Sequence, residues 1–421
     1  FPHPPTIWER LTAAGRRSLI VDPILAWWPA TMGGVFLSGW QFEDRMVSRG
    51  LSLPGGMRRD LGRRHGRPPR LDDVYGTRQV SELLRWREHL VAAPDRVADA
   101  TLDLLGREDF DLIWLNFGCA HKAGHHFWDP LAVTEGDVGE DDERTLRSGL
   151  TAVYEAVDAA MGRVLEALPD SADIMVFSPT GMDANVSRAD LLPGMLEAVI
   201  SGPGGAARTT AAQRSPIWTL RSTLPISWRQ AIARTLPDRM VADLATRMYH
   251  SKDWSQTRIT TVPGENKGYL RVNLKGRERE GIVDPSEVDA LVSQVREGLL
   301  SFTDPDGSPS IAKVEHMSEM TDEGSHVDQL PDLVVYWGDR PPDRQLTHVR
   351  SEVHGRVDRR GVGSGRSGNH VDDAWVVRVT GPSRMSELDR PLRITDIGAT
   401  ACGLLGADMS GLTGSPLLES P

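Results

Sequence analysis

The chain has 421 residues, is 39% hydrophobic and 25% charged, and carries a formal net charge of -11. That length suits one large α/β domain with an insertion, or two domains, and the negative balance argues against a nucleic-acid polymer held through its phosphates. Two cysteines, Cys119 and Cys402, exclude a disulfide framework and a cysteine zinc cage, and no run of about 18 apolar residues offers a membrane-spanning helix.

No signal peptide is visible in the chain as given, which starts at Phe1. Thr6 can cap a helix over 7–14 that ends at Gly15. Ser18 to Val21 reads as a strand closed by Asp22 and Pro23. A loop with a short apolar segment follows around 33–39, and the Arg- and Gly-rich stretch 41–77 reads as a surface excursion. Helical spacing over 80–105, broken near Pro94, predicts two helices. Leu112 to Phe117 is short and apolar, a buried strand. An acidic loop is expected over 135–143, then a long amphipathic helix over 146–168. Another strand runs from Ala172 to Ser178 and ends at Pro179, Thr180 and Gly181. Helices are expected over 187–199 and near 227–248, and an alternating strand over 268–274. Asp284 and Pro285 start a helix that runs to Leu300. Strands over 333–337 and 375–379 and a helix over 393–405 close the chain.

The alternation of helix and strand predicts an α/β fold: a mostly parallel sheet with helices on both faces. The rhythm breaks between about 250 and 330, where a small cap is expected. The domain reading is therefore a core over 1–250, a cap-like α+β segment over 251–330, and a return to the core over 331–421.

The stretch that carries chemistry is 111–130. His121 and His125 lie four apart, one helical turn, just past the carboxyl end of a strand. Open α/β sheets bind their ligands there. Neutral imidazole is a common metal ligand and suits zinc. The pair reads either as metal ligands or as polar loop histidines. Cys119, two residues earlier, reads as a soft ligand or as a buried thiol.

Several stretches in order resemble the alkaline phosphatase superfamily, in its type I phosphodiesterase and nucleotide pyrophosphatase branch. Residues 8–15 are similar to a "W..L..aG" opening, and 117–128 to a metal segment ending in a histidine and an aromatic-Trp pair. Residues 153–162 resemble a "vY..vD..lG" helix. Residues 177–182 sit where the family has "vSDHGm". Residues 268–283 resemble "GyiRvNlkGRE…G.v", 365–370 carry the last histidine, and 395–400 resemble "tDiapT". The likeness spans most of the chain.

The resemblance implies metal-assisted hydrolysis of phosphate or sulfate esters, with two ions about 4 Å apart clamping an in-line displacement. Carried over residue by residue, one zinc site would be His121, His125 and His370, three imidazoles that leave one position open. The second site is depleted: its Asp-His pair falls on Pro179 and Thr180, with Asp183 the nearest substitute. The remaining ligand and the nucleophile belong to elements that, by the resemblance, precede Phe1. Thr180 is the one hydroxyl in the motif, a weak catalytic candidate on the wrong strand. Arg366 and Arg271 are candidate substrate contacts. Two functions stand: a metal-dependent hydrolase of small phosphate or sulfate esters, or a catalytically degenerate relative that acts as a binding or scaffold protein.

Overall fold

The computed structural model describes residues 4–24, 29–43, 50–71, 76–202, 254–321, 326–340, 346–359, 363–386 and 389–419. The expected helical pieces near 227–248 lie outside these residues.

The first sheet is built around Ser18–Val21, whose four residues are all buried. Its neighbours Gly34–Ser38 and Leu112–Leu115 run parallel to it, and Leu51–Leu53 joins the outer edge antiparallel. Alternation along the strand sends Leu19 and Val21 to one face and Ile20 to the other. Leu19 and Val21 pack with Val97, Ala100 and Leu104 of the helix Ala93–Leu105. Ile20 packs with Trp8 of the helix Ile7–Ala13. That first helix is capped by Thr6, as its sequence predicts, and Glu9 completes a reciprocal capping box.

The second sheet is antiparallel, in the order Ile311–His316, Leu333–Trp337, Gly268–Val272, Ile259–Val262. Its core includes Leu192, Met195 and Val199 of the helix Leu192–Ser201, together with Val295 and Leu299 of the helix Val288–Leu300. Leu333–Trp337, which the sequence assigns to the returning core, thus pairs with Gly268–Val272. The hairpin of His348–Ser351 and Gly355–Asp358 also contributes Val349 and Val357 to this core. This antiparallel core therefore draws on residues from Leu191 to Val357.

The fold is mixed α/β, with less parallel sheet than the helix-strand rhythm predicts. Among the described residues the parallel ladders are the two on Ser18–Val21 and the short pair of Arg78–Gln79 with Thr134–Glu135. Ile174–Ser178 pairs antiparallel with Trp375–Thr380, and Gly181–Ala184 with Gly368–Val371. Rhythm alone cannot choose a strand's direction or neighbour, because both are set by contacts distant in sequence.

Leu112–Leu115 and Ile174–Ser178 are half-buried throughout, unlike Ser18–Val21. Each has a ladder on one edge only among the described residues. Trp114 and Phe177 nonetheless meet edge to face, with ring centroids 5.4 Å apart.

Two surface stretches hold more structure than expected. The excursion over 41–77 contains Leu51–Leu53 and the helix Met57–Arg64. The acidic loop is largely the first turn of a helix, Glu140–Arg147, where four carboxylates face the positive end of the helix dipole. No described helix is long and apolar enough to cross a membrane.

Candidate metal centre

The strand Leu112–Leu115 leads into the helix Gly118–Phe127, so residues 121 and 125 fall one turn apart on one face. The third histidine comes from the far end of the chain, on Gly368–Val371. Two glycines permit the meeting. A Cβ at residue 368 would lie 2.2 Å from the Gly124 carbonyl oxygen, and one at residue 124 would lie 2.9 Å from the Met182 side chain. Ser367 N–H donates to the His125 carbonyl at 2.8 Å, which fastens the loop to the helix.

The three imidazoles converge through the same ring atom. His125 Nε2 lies 3.0 Å from His121 Nε2, which lies 3.1 Å from His370 Nε2. Ligands about 2.0–2.1 Å from a tetrahedral zinc would sit about 3.3 Å from one another. The two separations from His121 are close to that, and the three ligand atoms all lie within 4.8 Å of one another. The outer nitrogens are also engaged. His125 Nδ1–H donates to the Gly368 carbonyl at 2.8 Å, which leaves Nε2 bare as a ligand. His370 Nδ1 lies 3.1 Å from the Thr180 hydroxyl. Burial is the main force holding His125 neutral: it is 2% exposed, and its pKa is pushed down to about 2, with the Arg366 charge adding to the effect. Burial and Arg366 lower His370 as well.

His121, His125 and His370 are the group of potential ligands that the described residues bring together. The other proposed ligands do not join it. Cys119 is fully buried in an apolar cluster with Phe42, Leu83 and Phe127, and burial pushes its thiol up to about 12. Asp183 pairs with Asn369 in the ladder that pairs Met182 with His370. Successive strand residues face opposite sides, so its carboxylate points away from His370 and accepts from Ala184 N–H at 2.6 Å. Arg366 stands 3.4 Å from Glu265, close enough to act on the histidines electrostatically. Arg271 belongs to the second sheet, where it pairs with Glu278 at 2.7 Å and donates to the carbonyls of Asp328 and Leu330. His126 turns away from the site, edge-on to Trp86 with ring centroids 4.8 Å apart.

A supporting network was not anticipated. The Asp22 carboxylate accepts the N–H groups of Trp40 and Gln41, each at 2.7 Å. The Gln41 amide reaches the Asn116 carbonyl at 2.7 Å and accepts from Cys119 N–H at 3.1 Å. Asp22 takes a φ of +53°, uncommon outside glycine. These polar groups lie at the carboxyl ends of two parallel strands and hold the start of the histidine helix. The signal was present: a carboxylate directly after an apolar strand, followed by proline.

No protein-family model matches this sequence, and no curated protein matches it either.

Proposed function

We propose that the chain is a metal-dependent hydrolase of small phosphate or sulfate esters. Its zinc would be held by His121, His125 and His370, as the resemblance to the phosphodiesterase branch of the alkaline phosphatase superfamily implies. The observation that carries the reading is the convergence of three imidazoles, with the His125 and His370 Nε2 atoms 3.0 and 3.1 Å from that of His121 and all three ligand atoms within 4.8 Å of one another. When bound, the metal supplies Lewis acidity toward a phosphoryl or sulfuryl oxygen. The buried His125 anchors the site, while His121 and His370 are half-buried and border solvent. Arg366 adds a positive charge that acts on His125 and His370, offset in part by Glu265 at 3.4 Å.

A second reading, a degenerate relative that binds without turnover, is favoured by Pro179, Thr180 and Asp183. These positions supply no second cluster of ligands among the described residues. Zinc content per purified chain, with a His370→Ala control, tests the site. About one zinc, lost in the control, supports it. A panel of phosphodiesters, phosphomonoesters and sulfate esters then separates the two readings, since hydrolysis that follows zinc occupancy supports the hydrolase. No zinc after metal addition ends the hydrolase reading and leaves the binding-protein reading in front.

A further inference from the structure

The histidine site has one neighbour whose chemistry the metal reading leaves open. The Thr180 hydroxyl lies 3.1 Å from His370 Nδ1, on the side of the ring opposite the convergent Nε2. A neutral imidazole carries one proton, and an Nε2 that ligates a metal must be bare. The proton of His370 is then on Nδ1, and Thr180 Oγ1 is its acceptor.

Thr180 is well held for that task. Pro179 precedes it, its own carbonyl accepts from the Ser178 hydroxyl at 2.7 Å, and Gly181 pairs with Val371 directly after it. Acceptor and histidine thus ride on one two-stranded ribbon. A Cβ at residue 181 would lie 2.7 Å from Val371 and 2.9 Å from the Asp373 carbonyl oxygen, so the turn fits tightly against the strand of His370. The Gly368 carbonyl does the same for His125.

We propose that Thr180 is a positioning residue of the metal centre, accepting the His370 Nδ1–H and thereby selecting Nε2 as the ligating atom. The inference rests on the metal reading above. It also removes Thr180 as an activated nucleophile: the imidazole nitrogen facing its hydroxyl already carries a proton and cannot act as its base.

The test compares wild type, Thr180→Val and Thr180→Ser, with Thr180→Ala held in reserve should the valine protein not fold. Zinc affinity is read by chelator competition, and the His370 ring by its ¹⁵N shifts with and without zinc. Loss of an outer acceptor costs roughly 10–100-fold in metal affinity. Valine should bind zinc that much more weakly and lose the pure Nδ1–H signature in the zinc-free protein. Serine should restore both, to within about threefold in affinity on the same scale. Wild-type affinity in the valine protein, alongside lost binding in His370→Ala, would overturn the Thr180 assignment and leave the site standing. No saturable zinc binding by wild type would overturn the site itself.

Discussion

His125 and His370 reach the same point from supports of different kinds. His125 sits on a ten-residue helix, is 2% exposed, and bonds to a backbone carbonyl. Beneath it lie the Asp22 network and the fully buried strand Ser18–Val21. His370 sits on a two-stranded ribbon, is half-buried, and leans on a side-chain hydroxyl. One arm is set by the packed interior, the other by a single short ladder. A site built this way has a fixed half and an adjustable half, and each arm should fail in its own manner.

The largest effects separate ligation from support. His125→Ala and His370→Ala should each weaken zinc binding by at least about 100-fold, measured by calorimetry. Only the first should also destabilise the zinc-free protein, by about 1–3 kcal/mol in urea unfolding, because it empties a buried position and orphans the Gly368 carbonyl. Equal loss of stability in the two variants would erase the contrast between the arms.

The glycines come next. Gly368→Ala drives a Cβ onto the Gly124 carbonyl oxygen, a backbone atom that cannot step aside. It should cost about 3 kcal/mol and loosen both arms together. Gly124→Ala meets the Met182 side chain instead, at Cγ and Cε, each 2.9 Å away, and gains about 1 kcal/mol of helix propensity, so its net effect should stay within about 1 kcal/mol if that side chain re-packs. A large loss from Gly124→Ala would mean that the contact at Met182 is rigid.

The smallest effect is a control placed away from the site. Asp103 bonds Arg107 at 2.7 Å and His65 at 2.8 Å, fastening the helix Ala93–Leu105 to Met57–Arg64, and the Arg107 hydrogen bond holds its carboxyl down at about 2. A depressed carboxylate contributes stability above its unfolded value, near 4, and loses it as the pH falls through the folded one. Asp103→Asn should therefore cost about 1 kcal/mol at pH 7, after allowance for solvent screening, and nothing near pH 2. Its zinc affinity should match wild type. A shift in zinc affinity would show that the helix arm is less firmly set than its burial implies.

Part of the helix arm was legible in the sequence. The four-residue histidine spacing is a local pattern, and the structure keeps it as one turn of the helix Gly118–Phe127. That helix was itself not read from the sequence, and the strand expected buried over 112–117 is half-buried and ends at Leu115. The cap at Thr6 and the two helices joined near Pro94 were legible for the same reason. The strand arm was not legible from spacing: His370 lies 249 positions from His121, and only the resemblance linked them. The role of Asp22 was hidden because its partners come from two other loops. Asp183 looked available because it lies three residues from Thr180, yet the two-residue period of the strand turns it away from His370.

The sequence by itself determined the local elements, the pairing of His121 with His125, and the absence of any cysteine cage. Each follows from spacing or composition, which tertiary contacts do not alter. The tertiary structure decided the strand directions, the reach of the antiparallel core, and the exclusion of Cys119 and Asp183 from the site. It also decided the engagement of Thr180 with His370. Those outcomes depend on which edges and faces meet across hundreds of residues, and a meeting of that kind is fixed by packing and ladder register rather than by any local pattern.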